Sequence, residues 1–147
     1  MAGAVQHISS LDALDALTAT HKYVILDFTA TWCPPCKAIA PLYEKMAMEY
    51  AVEGSLAFGK VDVDEAAPVA AKFGVSAMPT FIFLEDGENA GVDVGDALPA
   101  QANIVRVEGS GDDGPLVSIR GADPKNLLFA VKKVAELAAL AKPEEVS

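Results

Sequence analysis

Apolar residues recur along this chain with two periods, and the alternation between them lays out its elements. Leu11, Leu14 and Leu17 follow Ser9-Ser10 at helical spacing, and either serine can cap that helix by accepting its free N–H groups. Tyr23-Val24-Ile25-Leu26-Asp27-Phe28 is apolar on both faces except at Asp27, the pattern of a central strand covered on both sides. Trp32-Cys33-Pro34-Pro35-Cys36-Lys37 leads into a helix predicted over residues 35–52, with a kink at Pro41. A second strand is expected over 56–63, then a short alanine-rich helix over 65–73 that Gly74 ends as a left-handed cap. Residues 80–84, Thr-Phe-Ile-Phe-Leu, read as a third strand closed by Asp86-Gly87.

The regular pattern then breaks. Residues 88–114 carry five glycines, Pro99, and six acids against Arg106 alone, which makes this stretch −5. Only residues 104–107 look like a strand within it, and 109–114 look like a loop. A strand resumes over 116–120. Gly121-Ala122-Asp123-Pro124 then reads as a helix start with proline at the first helical position. The closing helix should bury Leu127, Val131, Val134 and Ala138, turn Lys132, Lys133 and Glu136 outward, and fray over 142–147. Strands and helices alternate and then give strand, strand, helix. The expected architecture is an α/β sandwich of one domain over 1–147, a central mixed sheet with helices on both faces.

Composition narrows the function. The 147 residues are 52% apolar, enough for a core, and carry a formal charge of −10. Such a field repels phosphate backbones and anionic lipid, so nucleic-acid and membrane-surface partners are not expected. No run of eighteen apolar residues is present, and residues 1–7 lack both a charged and an apolar signal region, so a cytoplasmic protein is expected. Two cysteines are too few for a disulfide scaffold.

They are, however, placed for chemistry. Cysteines at i and i+3 in the first turn of a helix share a face, and a modest tightening lets their disulfide form and break. Cys33 sits where helix N–H groups favour the thiolate, and Cys36, one turn inside, suits a resolving role. A structural zinc pair is the competing reading. Its histidines would be His7 and His21, fourteen apart and upstream, which matches no usual finger spacing. Asp27, inside an apolar strand, is costly unless neutral or paired, and could exchange a proton with Cys36 directly or through water. Lys60 shares a strand face with Leu56 and Phe58 and could be its countercharge; a merely structural ion pair is the alternative.

In this order Asp27-Phe28, Ala30, Trp32-Cys33-x-Pro35-Cys36-Lys37, Pro41, Lys60-Val61-Asp62, Phe73-Gly74-Val75, Met78-Pro79-Thr80-Phe81 and Gly121-Ala122 resemble the thioredoxin family, over residues 1–87 and 115–147. The resemblance implies a thioredoxin-like three-layer fold and reduction of protein disulfides, with Cys33 the nucleophile, Cys36 the resolving thiol and Asp27 the buried proton acceptor beside Lys60. It further implies that Pro79 is a cis-proline, that the backbone at Met78 pairs with an extended substrate segment, and that Trp32 walls the groove. No cofactor beyond the Cys33–Cys36 disulfide is implied. The expected partners are protein disulfides and a flavin-containing thioredoxin reductase, with the chain a monomer.

Two departures from the family pattern stand out. Pro34 replaces the usual glycine, and with Pro35 it leaves Cys36 as the nearest main-chain donor to the Cys33 sulfur. The regular helix is therefore expected to begin at Pro35, and the thiolate to be only mildly stabilised, which favours a reductant or an intermediate poise. The second departure is the acidic insertion at 88–114, read as a surface loop because loops absorb insertions at little entropic cost. A partner-docking loop, or a weak cation site drawing on Asp93, Asp96, Asp112 or Asp113 without EF-hand spacing, is the functional alternative. An oxidase or isomerase of intermediate potential and a binding module without redox chemistry complete the functions in play.

Overall fold

In the computed structural model residues 4–95 and 98–141 are described. Their elements run β1 (Val5–His7), α1 (Leu11–Thr20), β2 (Tyr23–Thr29), α2 (Pro34–Tyr50), β3 (Leu56–Asp62), α3 (Ala67–Lys72), β4 (Thr80–Glu85), β5 (Ile104–Arg106), β6 (Leu116–Arg120) and α4 (Pro124–Ala141). The predicted fraying and Asp96 lie outside the described residues. The strands form one six-stranded sheet in the order β1-β3-β2-β4-β6-β5. β2 pairs with β3 in parallel and with β4 antiparallel, so the sheet is mixed.

Side-chain alternation along the strands separates two cores. Tyr23, Ile25, Phe58, Phe81 and Phe83 face α2 and α4, where Ile39, Tyr43, Leu127, Val131 and Val134 meet them. Val24, Leu26, Phe28, Val61 and Ile82 face α1 and α3. This is the expected three-layer arrangement, and β2, apolar on both faces, is buried at every residue from Tyr23 to Phe28. At the far end from α2's start, the buried Ser55 hydroxyl donates to the Ala138 carbonyl at 2.7 Å and ties β3 to α4.

Several boundaries differ from the sequence expectation, each for a physical reason. β1 was not expected at all; three residues are too few to show a period, and it exists by pairing with β3. α1 is as predicted, with the Ser10 hydroxyl accepting from the Ala13 amide at 3.0 Å. α2 begins at Pro34, not Pro35, and runs unbroken through Pro41. First-turn amides have no acceptor within the helix, so prolines there forfeit no bond, and the Lys37 amide closes the turn onto the Cys33 carbonyl at 3.2 Å. α3 is shorter than predicted, because Asp62 accepts from the Asp64 and Glu65 amides and holds those residues in a turn. Gly74 takes φ +64, the left-handed cap anticipated for it.

Residues 88–114 are irregular apart from β5, as a loop reading expects, but the described residues lie against the core as a packed strap and do not stand off in solvent. Val92 exchanges both backbone hydrogen bonds with Leu116 at 2.9 and 2.8 Å. Val92, Val94, Leu98 and Ile104 are all buried in the α2/α4-side core, while Glu88, Asp93, Glu108, Asp112 and Asp113 are exposed. Arg106, the segment's one cation, donates to the Leu98 carbonyl at 3.0 Å and to that of Gly114, clasping both arms of the strap. Gly91 turns the chain at φ +101, where a Cβ would stand 2.6 Å from both Pro115 and Val107 side chains. β5, expected over 104–107, ends at Arg106 with a register shift on β6. It is one of the sheet's two edge strands, β1 being the other.

The strap's role in the core is measurable by urea unfolding. Leu98→Ala should lower the unfolding free energy by about 2–5 kcal/mol. Glu108→Ala, on the solvent side, should change it by less than about 0.5 kcal/mol. A solvated loop would give small values for both.

Candidate functional site

The end of β2 and the start of α2 create the site. After Thr29 the chain turns, the Cys33 amide bonds to the Ala30 carbonyl at 3.2 Å, and Cys33 becomes the N-cap of α2 in extended conformation. A capping residue ordinarily offers an oxygen to the first free amides. Here the acceptor is sulfur: the Cys36 amide donates to Cys33 Sγ at 3.3 Å, the single nearby donor that the two prolines leave. Cys33 and Cys36 are joined as a disulfide with Cα atoms 5.3 Å apart, and both are buried with Ala30 against Val63 and Met78. One side of the bond still meets the surface, beside Trp32, which is 63% exposed.

Across from Cys33 lies the start of β4. The Met78–Pro79 bond is cis, and the Met78 carbonyl oxygen stands 3.6 Å from Cys33 Sγ. The Pro79 carbonyl accepts from the Gly121 amide at 2.7 Å, which ties the turn before α4 to the cis-proline. Trp32, next to Cys33, is held by its indole N–H, which donates to Asp64 Oδ2 at 2.9 Å. The sequence reading did not single out Asp64. Its acid-rich turn, Asp62 to Glu65, looks like an ordinary solvated face, and only the fold brings it to Trp32.

On β2, the strand that leads into the Cys33–Cys36 turn, lies Asp27. It faces Lys60 in the β2–β3 register and Phe81 in the β2–β4 register, and it is 1% exposed. Its Oδ1 has no hydrogen-bond partner, and among the described residues Lys60 does not come within ion-pair distance of it. The structural ion pair is thus not formed, because Lys60 is half-buried and lines a cavity of about 390 Å³ together with Cys36, Lys37, His7, Asp62 and Glu65. Burial raises the Asp27 pKa from 3.8 to about 7, and the positive charge of Lys60 offsets part of that rise. A carboxyl poised near neutrality can take up or release a proton at little cost. Tyr43, which the sequence reading also passed over, shares its hydroxyl hydrogen between the Ile25 and Gly59 carbonyls at 3.0 and 2.8 Å. It closes the floor between β2 and β3.

The other candidates fall apart spatially. His21 stays at the end of α1 beside Thr20, and the two sulfurs are bonded to each other, so the zinc set is not assembled. Among the described residues no group of three or more His, Cys, Asp or Glu could hold a metal ion. Asp93 instead accepts from the Gly95 amide. No helix of the described residues is long and apolar enough to cross a membrane.

A helix-capping disulfide, a cis-proline opposite it and a buried carboxylate on the preceding strand define a dithiol–disulfide exchange site on a three-layer α/β scaffold. The thioredoxin family's sequence profile matches residues 6–106. A thioredoxin-like protein of Fusarium culmorum is 40% identical over 134 residues, 91% of this chain and 93% of that protein. A thioredoxin of Neurospora crassa is 39% identical over 138 residues, covering 94% and 92%. The solved structure of Malassezia sympodialis thioredoxin superposes with a TM-score of 0.65 at 33% identity, covering 90% of this chain and 92% of that one. The chain belongs to the thioredoxin family, and its two-cysteine site is that of an oxidoreductase that reduces protein disulfides.

Asp27 makes stability depend on pH with a definite sign. Its pKa is higher folded than unfolded, so its contribution is fully present below the ordinary carboxylate pKa of 3.8 and is lost as pH rises through about 7. Asp27→Asn cannot ionise and escapes that loss. Its gain over the parent should grow between about pH 4 and 7 and reach about 4 kcal/mol at pH 8. Urea midpoints at the two extremes measure this; a gain independent of pH would contradict an ionising, unpartnered carboxylate.

Proposed function

We propose that the chain acts as a single-domain, monomeric thioredoxin of the double-proline type, Trp-Cys-Pro-Pro-Cys, with a folded acidic strap at 88–114. The observation that supports the mechanism is the Cys33–Cys36 disulfide at the start of α2, with the buried carboxyl of Asp27 on the strand that precedes it. In the reduced protein the Cys33 thiolate attacks one sulfur of a substrate disulfide and expels the other as thiolate, giving a mixed disulfide. Asp27 takes the proton of the Cys36 thiol, directly or through a water, and the new Cys36 thiolate attacks Cys33 Sγ. The Cys33–Cys36 bond forms, the substrate leaves as a dithiol after protonation, and the two electrons have passed to it. Lys60 keeps Asp27 acidic enough to yield its proton again. Met78 offers backbone to an extended substrate segment, Pro79 fixes that edge, and Trp32 is the opposite wall. A reducing compartment such as the cytoplasm and a flavin-dependent thioredoxin reductase would return the pair to the dithiol.

Pro34 and Pro35 tune the pair. Without amides on either residue, the Cys33 thiolate has few donors, and a weakly stabilised thiolate favours a reductant. The reduction potential should lie near about −270 mV, and Pro34→Gly, which restores an amide, should raise it by roughly 20–30 mV. Equilibration with dithiol buffers and thiol trapping measures both. A parent value near about −120 mV would instead describe an oxidant. For the mechanism itself, Cys36→Ser should accumulate a covalent adduct with insulin and Cys33→Ser should form none. Asp27→Asn should lose the rise of the resolving rate through about pH 7 that the parent shows. Adducts on Cys36 in place of Cys33 would reverse the assignment.

A further inference from the structure

The strap does more than fill the core, because its summit is built into the rim of the substrate groove. Three strands carry the link. Thr80, next to the cis-proline, is in register with Arg120 at the end of β6, and the Arg120 amide donates to the Asn103 carbonyl at 2.8 Å. The strap therefore reaches the active-site end of the sheet immediately before β5 begins. There the Ile104 amide closes a turn onto the Gln101 carbonyl at 3.0 Å. Asn103 Nδ2 donates to Asp123 Oδ2 at 2.8 Å, and the buried Asn126 donates to Gln101 Oε1 at 3.0 Å and to Asp123 at 2.7 Å. Asp123 belongs to the Gly121–Pro124 turn, whose Gly121 amide is bonded to Pro79. The summit is thus fixed, through one turn, to the residue that shapes the groove. Leu98 and Ile104 anchor it from below, while Pro99, Ala100, Gln101 and Ala102 are exposed.

Distance decides what could touch it. Neighbouring strands are about 4.8 Å apart, so the three steps from β2 to β5 place the summit about 14 Å along the sheet from the end of β2. A standard protein interface covers about 800 Å² on each partner, a disc of about 16 Å radius. A globular protein whose disulfide is engaged at Cys33 would reach the summit, and a small disulfide would not.

We propose that residues 99–103 form a second contact wall for folded protein partners, selecting proteins that present their disulfide on a broad rigid surface. The wall is preformed, so its contact requires no ordering of the strap on binding. Its exposed side chains, Pro99 to Ala102, are themselves uncharged, and the hollow that Ala100 to Ala102 border is shared with Arg106 and Asp112, one charge of each sign, so the wall offers a partner shape with no net charge of its own.

This inference rests on the groove assigned above to Trp32, Met78 and Pro79, and the test separates the two. The measured quantity is the ratio of kcat/KM for insulin to kcat/KM for bis(2-hydroxyethyl) disulfide, in the full chain. Ala102→Trp, and independently Ala102→Glu, should lower that ratio by at least about fivefold. Two different side chains at one exposed site keep the result independent of a folding defect, which thermal unfolding checks. An unchanged ratio in both Ala102 variants alongside a reduced ratio in Trp32→Ala would overturn the summit wall and leave the groove standing. An unchanged ratio in all three would overturn both. An equal loss on the two substrates would mean that residue 102 acts through the active site, and would likewise overturn the proposal.

Discussion

The site depends on β2 being buried from both sides between neighbours of opposite direction. A parallel partner, β3, needs a long crossover, and α2 supplies it; that is why a helix must start where β2 stops. An antiparallel partner, β4, begins at the same end of the sheet, and that brings Met78 and Pro79 opposite Cys33. With β4 reversed, the disulfide and the cis-proline would lie at opposite ends. Because both faces of β2 are covered, a charged group it carries is dehydrated, and Asp27 is the one acidic or basic residue on it.

Dehydrating that carboxylate opposes folding by a few kcal/mol at neutral pH, a sizeable share of a typical net stability of about 5–15 kcal/mol. The remedies that buried acids usually receive are withheld. Lys60 stands in register but half-buried and outside ion-pair distance, and among the described residues Oδ1 has no donor. A bonded ion pair would hold Asp27 ionised and acidic, unable to accept a proton from a thiol, whereas full isolation would leave it protonated throughout the physiological range. The half-buried lysine sets the middle value. Local stability and proton transfer are in conflict at this position, and the surrounding aromatic core, with Tyr43, Phe58 and Phe81 stacked beside it, is what lets the conflict persist.

The sequence was most informative where burial enforces a period or a backbone geometry demands one residue. β2, the buried face of α4, the Ser10 cap, Gly74 at positive φ and the Cys33–Cys36 turn were all legible for that reason. Asp27 stood out as a charge in an apolar run. What could not be read was pairing between distant residues. Three-residue β1 carries no period of its own, Asp64 has no feature that predicts Trp32 as its partner, and Tyr43 looks like any core aromatic until its hydroxyl is followed to Ile25 and Gly59. The start of α2 was misplaced by applying the restriction on residues before proline without weighing the helix N-terminus, where missing amides are harmless.

The strap was misread for a different reason. Its glycines, proline and net negative charge are loop signals when averaged, but averaging hides the alternation Val92-Asp93-Val94, apolar in and acid out. That two-residue period marks a segment lying against a core, and the charge that suggested a solvated loop belongs to its outer side. A chain that adds residues at the edge of a sheet has two ways to satisfy their backbone groups: leave them in water, or extend the sheet and cover its end. This one does the second, pairing β5 to β6 and seating Leu98 beside the α4-side core. The consequence reaches the active site because a sheet transmits position along its rows. Fixing β5 against β6 fixes the turn before α4, and that turn is bonded to Pro79. An addition made at the edge, with no residue in the chemistry, therefore helps to set the shape of the surface that a partner meets.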